Sequence, residues 1–226
     1  MEKNHCGCSK IEDNNVWRIS TSLNVMNQLL KSCFPLLISL IVISCSKSDL
    51  QYESKFETSL RAWESFKKES DNSYSYTTRS GSWTGWTSEI TTTVDQGKIK
   101  KIAYIVPKLS TTNRPEGGWT LASFSEALKK MGYTDSEIKK HEEDRTFENI
   151  EWIEDESNFG EHGNTLQRSL DDIYRLAKED WLVKRKGVTN YLETENNGLI
   201  SKVGKYEEGC MDDCFIGVDI VSIVKN

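Results

Sequence analysis

Apolar residues along the chain switch between two spacings, and the switches mark the expected elements. Phe56, Leu60, Trp63 and Phe66 recur every three or four positions, which predicts a helix over 51–69 with one apolar face. Alternation then predicts strands over 74–78, 86–94 and 98–106. Asp95-Gln96-Gly97-Lys98 is the hairpin turn between the last two, with Gly97 free to take positive φ. Pro107 is expected to end the third strand, because it has no N–H to give to a ladder.

Beyond a loop over 108–118, Leu121, Phe124 and Leu128 predict a helix over 120–131 closed by Gly132. Thr134 followed by Glu137 reads as a cap opening a second short helix, to about 144. A strand is expected over 145–153. The longest apolar stripe, Leu166, Leu170, Ile173, Tyr174, Ala177 and Trp181, predicts a helix over 165–186 that ends on Lys184-Arg185-Lys186-Gly187. Strands over 188–193, 199–206 and 215–224 follow, the first two joined by Asn196-Asn197-Gly198. A helix followed by a three-stranded meander thus occurs twice. The expected fold is α+β, an antiparallel sheet covered by helices in two helix-then-meander halves.

One apolar run belongs to none of this. Residues 33–44 span roughly 18 Å as a helix, well short of the ~30 Å hydrocarbon core, so a signal-peptide apolar segment fits better than a transmembrane helix. Lys31 supplies a charge ahead of it. Val42-Ile43-Ser44-Cys45 resembles a bacterial lipobox. That resemblance implies cleavage before Cys45, lipid on its sulfur and palmitate-type acylation of the new amino terminus. One acyl chain anchors only marginally, at about 0.8 kcal/mol per buried methylene, whereas several hold durably. Ser46 in place of Asp implies onward transfer to an outer membrane. The expected organisation is therefore a dispensable extension over 1–25, a signal over 26–44 starting at Met26, a lipidated tether over 45–50 and one α+β domain over 51–226.

This division changes how charge and cysteines read. The chain has 29 basic and 35 acidic residues, net −6, and loses four basic and three acidic residues with its first 44. An acidic chain without a basic stripe argues against a nucleic-acid partner. Of six cysteines, three precede Cys45; Cys210 and Cys214 are left to form one disulfide in an oxidising compartment.

Candidate chemistry is sparse. His5-Cys6-Gly7-Cys8 lacks a distant partner pair for a metal, and no cofactor is expected. The acidic runs at 142–144, 154–156 and 212–213 lack the ligand spacing of a Ca²⁺ loop and read as solvated faces. His141 and His162 belong to no hydrolase motif. Trp83, Trp86 and Trp119 stand beside glycines, as ligand-contacting aromatics do.

The lipobox, the Trp63 helix, Tyr74-Ser75-Tyr76-Thr77, the 95–98 hairpin, the helix ending near Trp181 and Asn197-Gly198-Leu199-Ile200 resemble, together and in order, small bacterial lipoproteins with a domain of unknown function. The pattern is also loosely similar to β-lactamase-inhibitor-like and PepSY-like periplasmic α+β domains. These resemblances imply no catalytic residues, and the expected function is that of a non-enzymatic, lipid-anchored envelope protein that binds a protein partner or ligand through its sheet face or the insert loop. A glycan-binding surface lipoprotein is the alternative, and an enzyme of unrecognised type ranks third.

Overall fold

The computed structural model describes residues 49–82, 85–163, 168–210 and 214–226. Cys45 and Trp83 lie outside them, as does Leu166. The fold is α+β, with an open antiparallel sheet of eight strands. Helix α1 (Glu53–Glu69) precedes the first meander, β1 (Tyr74–Gly81), β2 (Trp86–Asp95) and β3 (Lys98–Leu109). A short β4 (Thr112–Asn113), helices α2 (Leu121–Lys130) and α3 (Asp135–Glu143), and β5 (Glu151–Asp155) form an insert. Helix α4 (Leu170–Leu176) precedes the second meander, β6 (Val188–Glu193), β7 (Lys202–Glu207) and β8 (Ile216–Lys225). The sheet order is β4-β3-β2-β1-β8-β7-β6, with β5 also pairing β3.

The two meanders are joined through the first strand of one and the last strand of the other. β1 pairs β8 from Tyr74↔Lys225 to Thr78↔Ile220. A register shift between Thr77 and Thr78 leaves an extra residue on β8, which bends and twists the ladder there. β8 then changes partner: Ile216–Asp219 pair only with Lys202–Lys205 of β7.

Alternation gives the sheet one buried face. Tyr74, Tyr76, Val94, Ile102 and Val106 are buried. On the opposite face, Ser75 and Thr77 exchange hydroxyl bonds with Thr93 (3.2 Å) and Thr91 (2.9 Å). The buried face carries two separate cores. In the first, α1 and α4 bring Phe56, Trp63, Leu170, Ile173 and Tyr174 onto β1 and the second meander. The Trp63 ring stacks on Tyr174 at 5.9 Å and meets Tyr74 edge-on at 5.3 Å. In the second, the insert packs Phe124, Leu128, Ile138 and Ile150 against Val106 and Leu109.

Three expectations need correction. β3 runs through Pro107 to Leu109, because the β2–β3 register shifts between Thr87 and Glu89, so the proline sits at a bulge where no ladder N–H is required. The segment expected as a strand over 145–153 opens as a 3₁₀ turn, Thr146–Asn149, and only then enters β5. The helix expected over 165–186 begins at Leu170, capped by Ser169 and Asp172, and finishes as a π turn, Ala177–Trp181. There Leu182 N–H donates to Ala177 C=O (2.9 Å), and buried Asn190 donates to Trp181 C=O (2.6 Å), which holds the widened turn. No helix among the described residues is long and apolar enough to cross a membrane.

Candidate functional site

The gap between the two cores is a cleft of about 830 Å³. Its floor comes from alternation on β1 and β2, where Thr78, Ser80, Ser88, Ile90 and Thr92 point the same way as the core residues. Trp86 and Tyr104 form the wall toward the insert. Arg168 and Ile173 form the wall toward α4. Lys202, Tyr206, Phe215 and Asp219 close it from β7 and β8.

β1 positions the Arg168 wall directly. The Tyr74 hydroxyl accepts from Leu170 N–H (2.9 Å), capping a free donor at the start of α4. The Tyr76 hydroxyl donates to Arg168 C=O (2.5 Å). Burial pushes both phenols above their ordinary value, so they stay protonated over the whole physiological range. The Arg168 guanidinium lies 6.0 Å from the Trp181 ring. Lys202 sits 5.3 Å over the Phe215 ring. Arg79 is already paired with Glu89 on β2 (2.6 Å).

Beside the cleft, Tyr104 begins a stack. Trp152 lies parallel to it at 5.3 Å, and His162 parallel to Trp152 at 4.3 Å. Under this stack Glu154 is almost fully buried, at 1% exposure. Its carboxylate accepts from Gly160 N–H (2.9 Å), His162 N–H (2.6 Å) and His162 Nδ1 (3.0 Å). Burial alone raises a carboxyl, but these three donors outweigh it and hold Glu154 below its ordinary value. Glu154 is thus not part of a solvated run, although Asp155 and Glu156 beside it are exposed. His162 is the clamp that folds the segment after β5 back onto the sheet.

The residues expected to contact a ligand separate on inspection. Trp86 lines the cleft, edge-on to Phe124 at 6.4 Å. Trp119 is a core residue, 7% exposed, with its indole N–H donating to Val106 C=O (2.7 Å). The glycines that suggested exposure do the opposite: Gly118 takes φ +91, and that turn drives Trp119 inward beneath the Arg114–Glu151 pair. Cys210 and Cys214 are at disulfide distance, their Cα atoms 5.9 Å apart, and Cys214 sits at the cleft rim. Arg168, Lys202, Tyr104 and Phe215 were not expected from the sequence. They meet only because β1 pairs β8, and no local pattern announces that pairing.

The described lining holds one carboxylate, Asp219, and no histidine. Among the described residues no three His, Cys, Asp or Glu side chains converge to hold a metal ion. The rest of the described lining offers rings, hydroxyls and cations. No protein-family model, curated protein or solved structure matches the chain.

Proposed function

We propose that the chain is a lipid-anchored protein of the bacterial cell envelope, sorted to the outer membrane, that acts as a non-enzymatic binding module through the cleft between its two cores. The observation that carries the binding reading is the cleft itself, floored by the strands of the sheet and lined with rings, hydroxyls and cations. The anchor reading rests on Val42-Ile43-Ser44-Cys45 following a short apolar run.

Two experiments test it. Radiolabelled palmitate should enter the wild-type chain and not Cys45→Ala; continued labelling of the variant sinks the anchor. Affinity purification from detergent-solubilised membranes should enrich partners with wild type that are lost with Ser88→Trp, which fills the cleft floor. Equal enrichment by both moves binding elsewhere.

A second reading, glycan binding, is favoured by Trp86, whose indole lines the cleft beside hydroxyl-bearing strands. An oligosaccharide that occupies the cleft should quench tryptophan fluorescence, and Trp86→Phe should remove most of the response.

A further inference from the structure

The cleft is also a fork in the sheet. Thr78↔Ile220 is the last rung between β1 and β8. Beyond it Arg79, Ser80 and Gly81 pair only with β2, and Ile216–Asp219 only with β7. Two strand edges therefore diverge from one rung, and their residues line the same hollow. Accepting the cleft as a binding site, we propose that its ligand is an extended, acidic peptide segment of a partner protein, which adds a strand at the fork while Arg168 and Lys202 receive its carboxylates.

The edges argue for a peptide. A strand edge presents N–H and C=O groups at a fixed spacing that another extended backbone matches and a sugar ring does not. The mouth is open to such an approach: continued register sets Gly81 across from Gly217, and a Cβ on Gly81 would meet nothing within 4 Å. An inserted strand runs antiparallel to one edge and parallel to the other, so it forms its full ladder with one and fills the hollow toward the other.

The cations argue for acidity. Five of the described arginines, at 79, 114, 145, 175 and 185, pair with a carboxylate of the chain. Arg61 is bonded to the Thr58 hydroxyl. Arg168, half-buried at the cleft wall, has the Trp181 ring beneath it and no ion-pair partner among the described residues. A guanidinium carries five donors in a fixed fork that a carboxylate matches. Lys202 faces the Phe215 ring and likewise has no ion pair, although Asp219 is its cross-strand neighbour. In a chain of net charge −6, Arg168 and Lys202, two half-buried cations without an ion pair among the described residues, outweigh the one carboxylate, Asp219, that the described lining holds.

The test pans a phage-displayed random heptapeptide library against the purified full chain, with an array of neutral and uronic oligosaccharides in parallel. The expected result is enrichment of proline-free sequences rich in Asp and Glu. A fluorescein-labelled copy of the leading peptide should lose ~10-fold in affinity with Arg168→Gln and a similar factor with Lys202→Gln, as charge-assisted bonds are removed. N-methylating alternate peptide amides should abolish binding, and the bound peptide should slow amide exchange in 79–81 or 216–219. No enrichment, enrichment of non-acidic sequences, or undiminished binding by the N-methylated peptide overturns the proposal. If Arg168→Gln loses its circular-dichroism spectrum, Lys202→Gln decides alone. An oligosaccharide that binds where no peptide does leaves the cleft reading standing and removes this one. Failure of every probe, with Ser88→Trp also without effect in membranes, removes both.

Discussion

The Tyr174 hydroxyl lies 2.8 Å from Ser59 Oγ, and both are buried. The same oxygen accepts from Ile200 N–H (3.1 Å), so one phenol on α4 ties α1 to the segment that enters β7. Burial raises its pKa, and it stays a neutral donor and acceptor.

Tyr174→Phe keeps the ring stack on Trp63 but strands the Ser59 hydroxyl and the Ile200 N–H. Leaving a buried donor unsatisfied costs about 1–3 kcal/mol. Urea denaturation should show that loss with an unchanged m-value; Ser59→Ala alone should cost less, because Ile200 keeps its acceptor.

Glu154 makes stability depend on acid. Its folded pKa is lowered, so its stabilisation is fully present above the ordinary glutamate value of 4.5 and is lost as pH falls through the lower, folded value. Glu154→Gln should flatten the fall of the urea midpoint below about pH 4.5 and lower the unfolding free energy at pH 7 by roughly 1–3 kcal/mol, since the amide NH₂ cannot accept and leaves at least one of the three donors without its acceptor. A wild-type midpoint that rises on acidification through this window would contradict the assignment.

Gly217 and Gly204 should not tolerate a methyl group. A Cβ on Gly217 would collide with Val203 C=O and lie 2.5 Å from Gly204 Cα, both backbone. One on Gly204 would lie 2.5 Å from the Phe215 ring and 2.6 Å from Ile216 C=O. Each alanine variant should lose about 1–3 kcal/mol in thermal or urea unfolding, with Gly217→Ala the worse because its two nearest clashes are both main chain.

The Cys210–Cys214 bridge closes a short loop, so the entropy it removes from the unfolded chain is small. Cys210→Ser with Cys214→Ser should lower stability by about 2 kcal/mol or less and leave the sheet intact. Intact mass before and after reduction should differ by two hydrogen atoms, the two electrons and two protons that convert the disulfide to thiols; identical masses would show the thiols free.

Where helix and strand follow local spacing, the sequence discloses them: α1 through Phe56 and Trp63, the β2–β3 hairpin through Gly97, the first insert helix through Leu121, Phe124 and Leu128, and the second through its Thr134 cap. What fails is whatever a distant partner decides. Pro107 continues its strand because it falls in a bulge that β3 makes against β2. The α4 stripe stops helping at Trp181 because Asn190, on another strand, fixes a π turn. Trp119 was expected to contact a ligand because Gly117 and Gly118 precede it, yet its indole has a carbonyl waiting on β3. The cleft was least legible: Tyr76, Tyr104, Arg168 and Lys202 stand on separate elements, and only the β1–β8 pairing assembles them.

That pairing also sets the order of events in time. Ser75 Oγ donates to Asn226 Oδ1 (2.8 Å) across 151 positions, and every rung between β1 and β8 spans a comparable length of chain. The middle of the sheet therefore cannot close until residues 220–225 have been made, and loops that long close slowly. Until that closure the two halves, α1 with β1–β3 and α4 with β6–β8, have only their own local pairings to hold them.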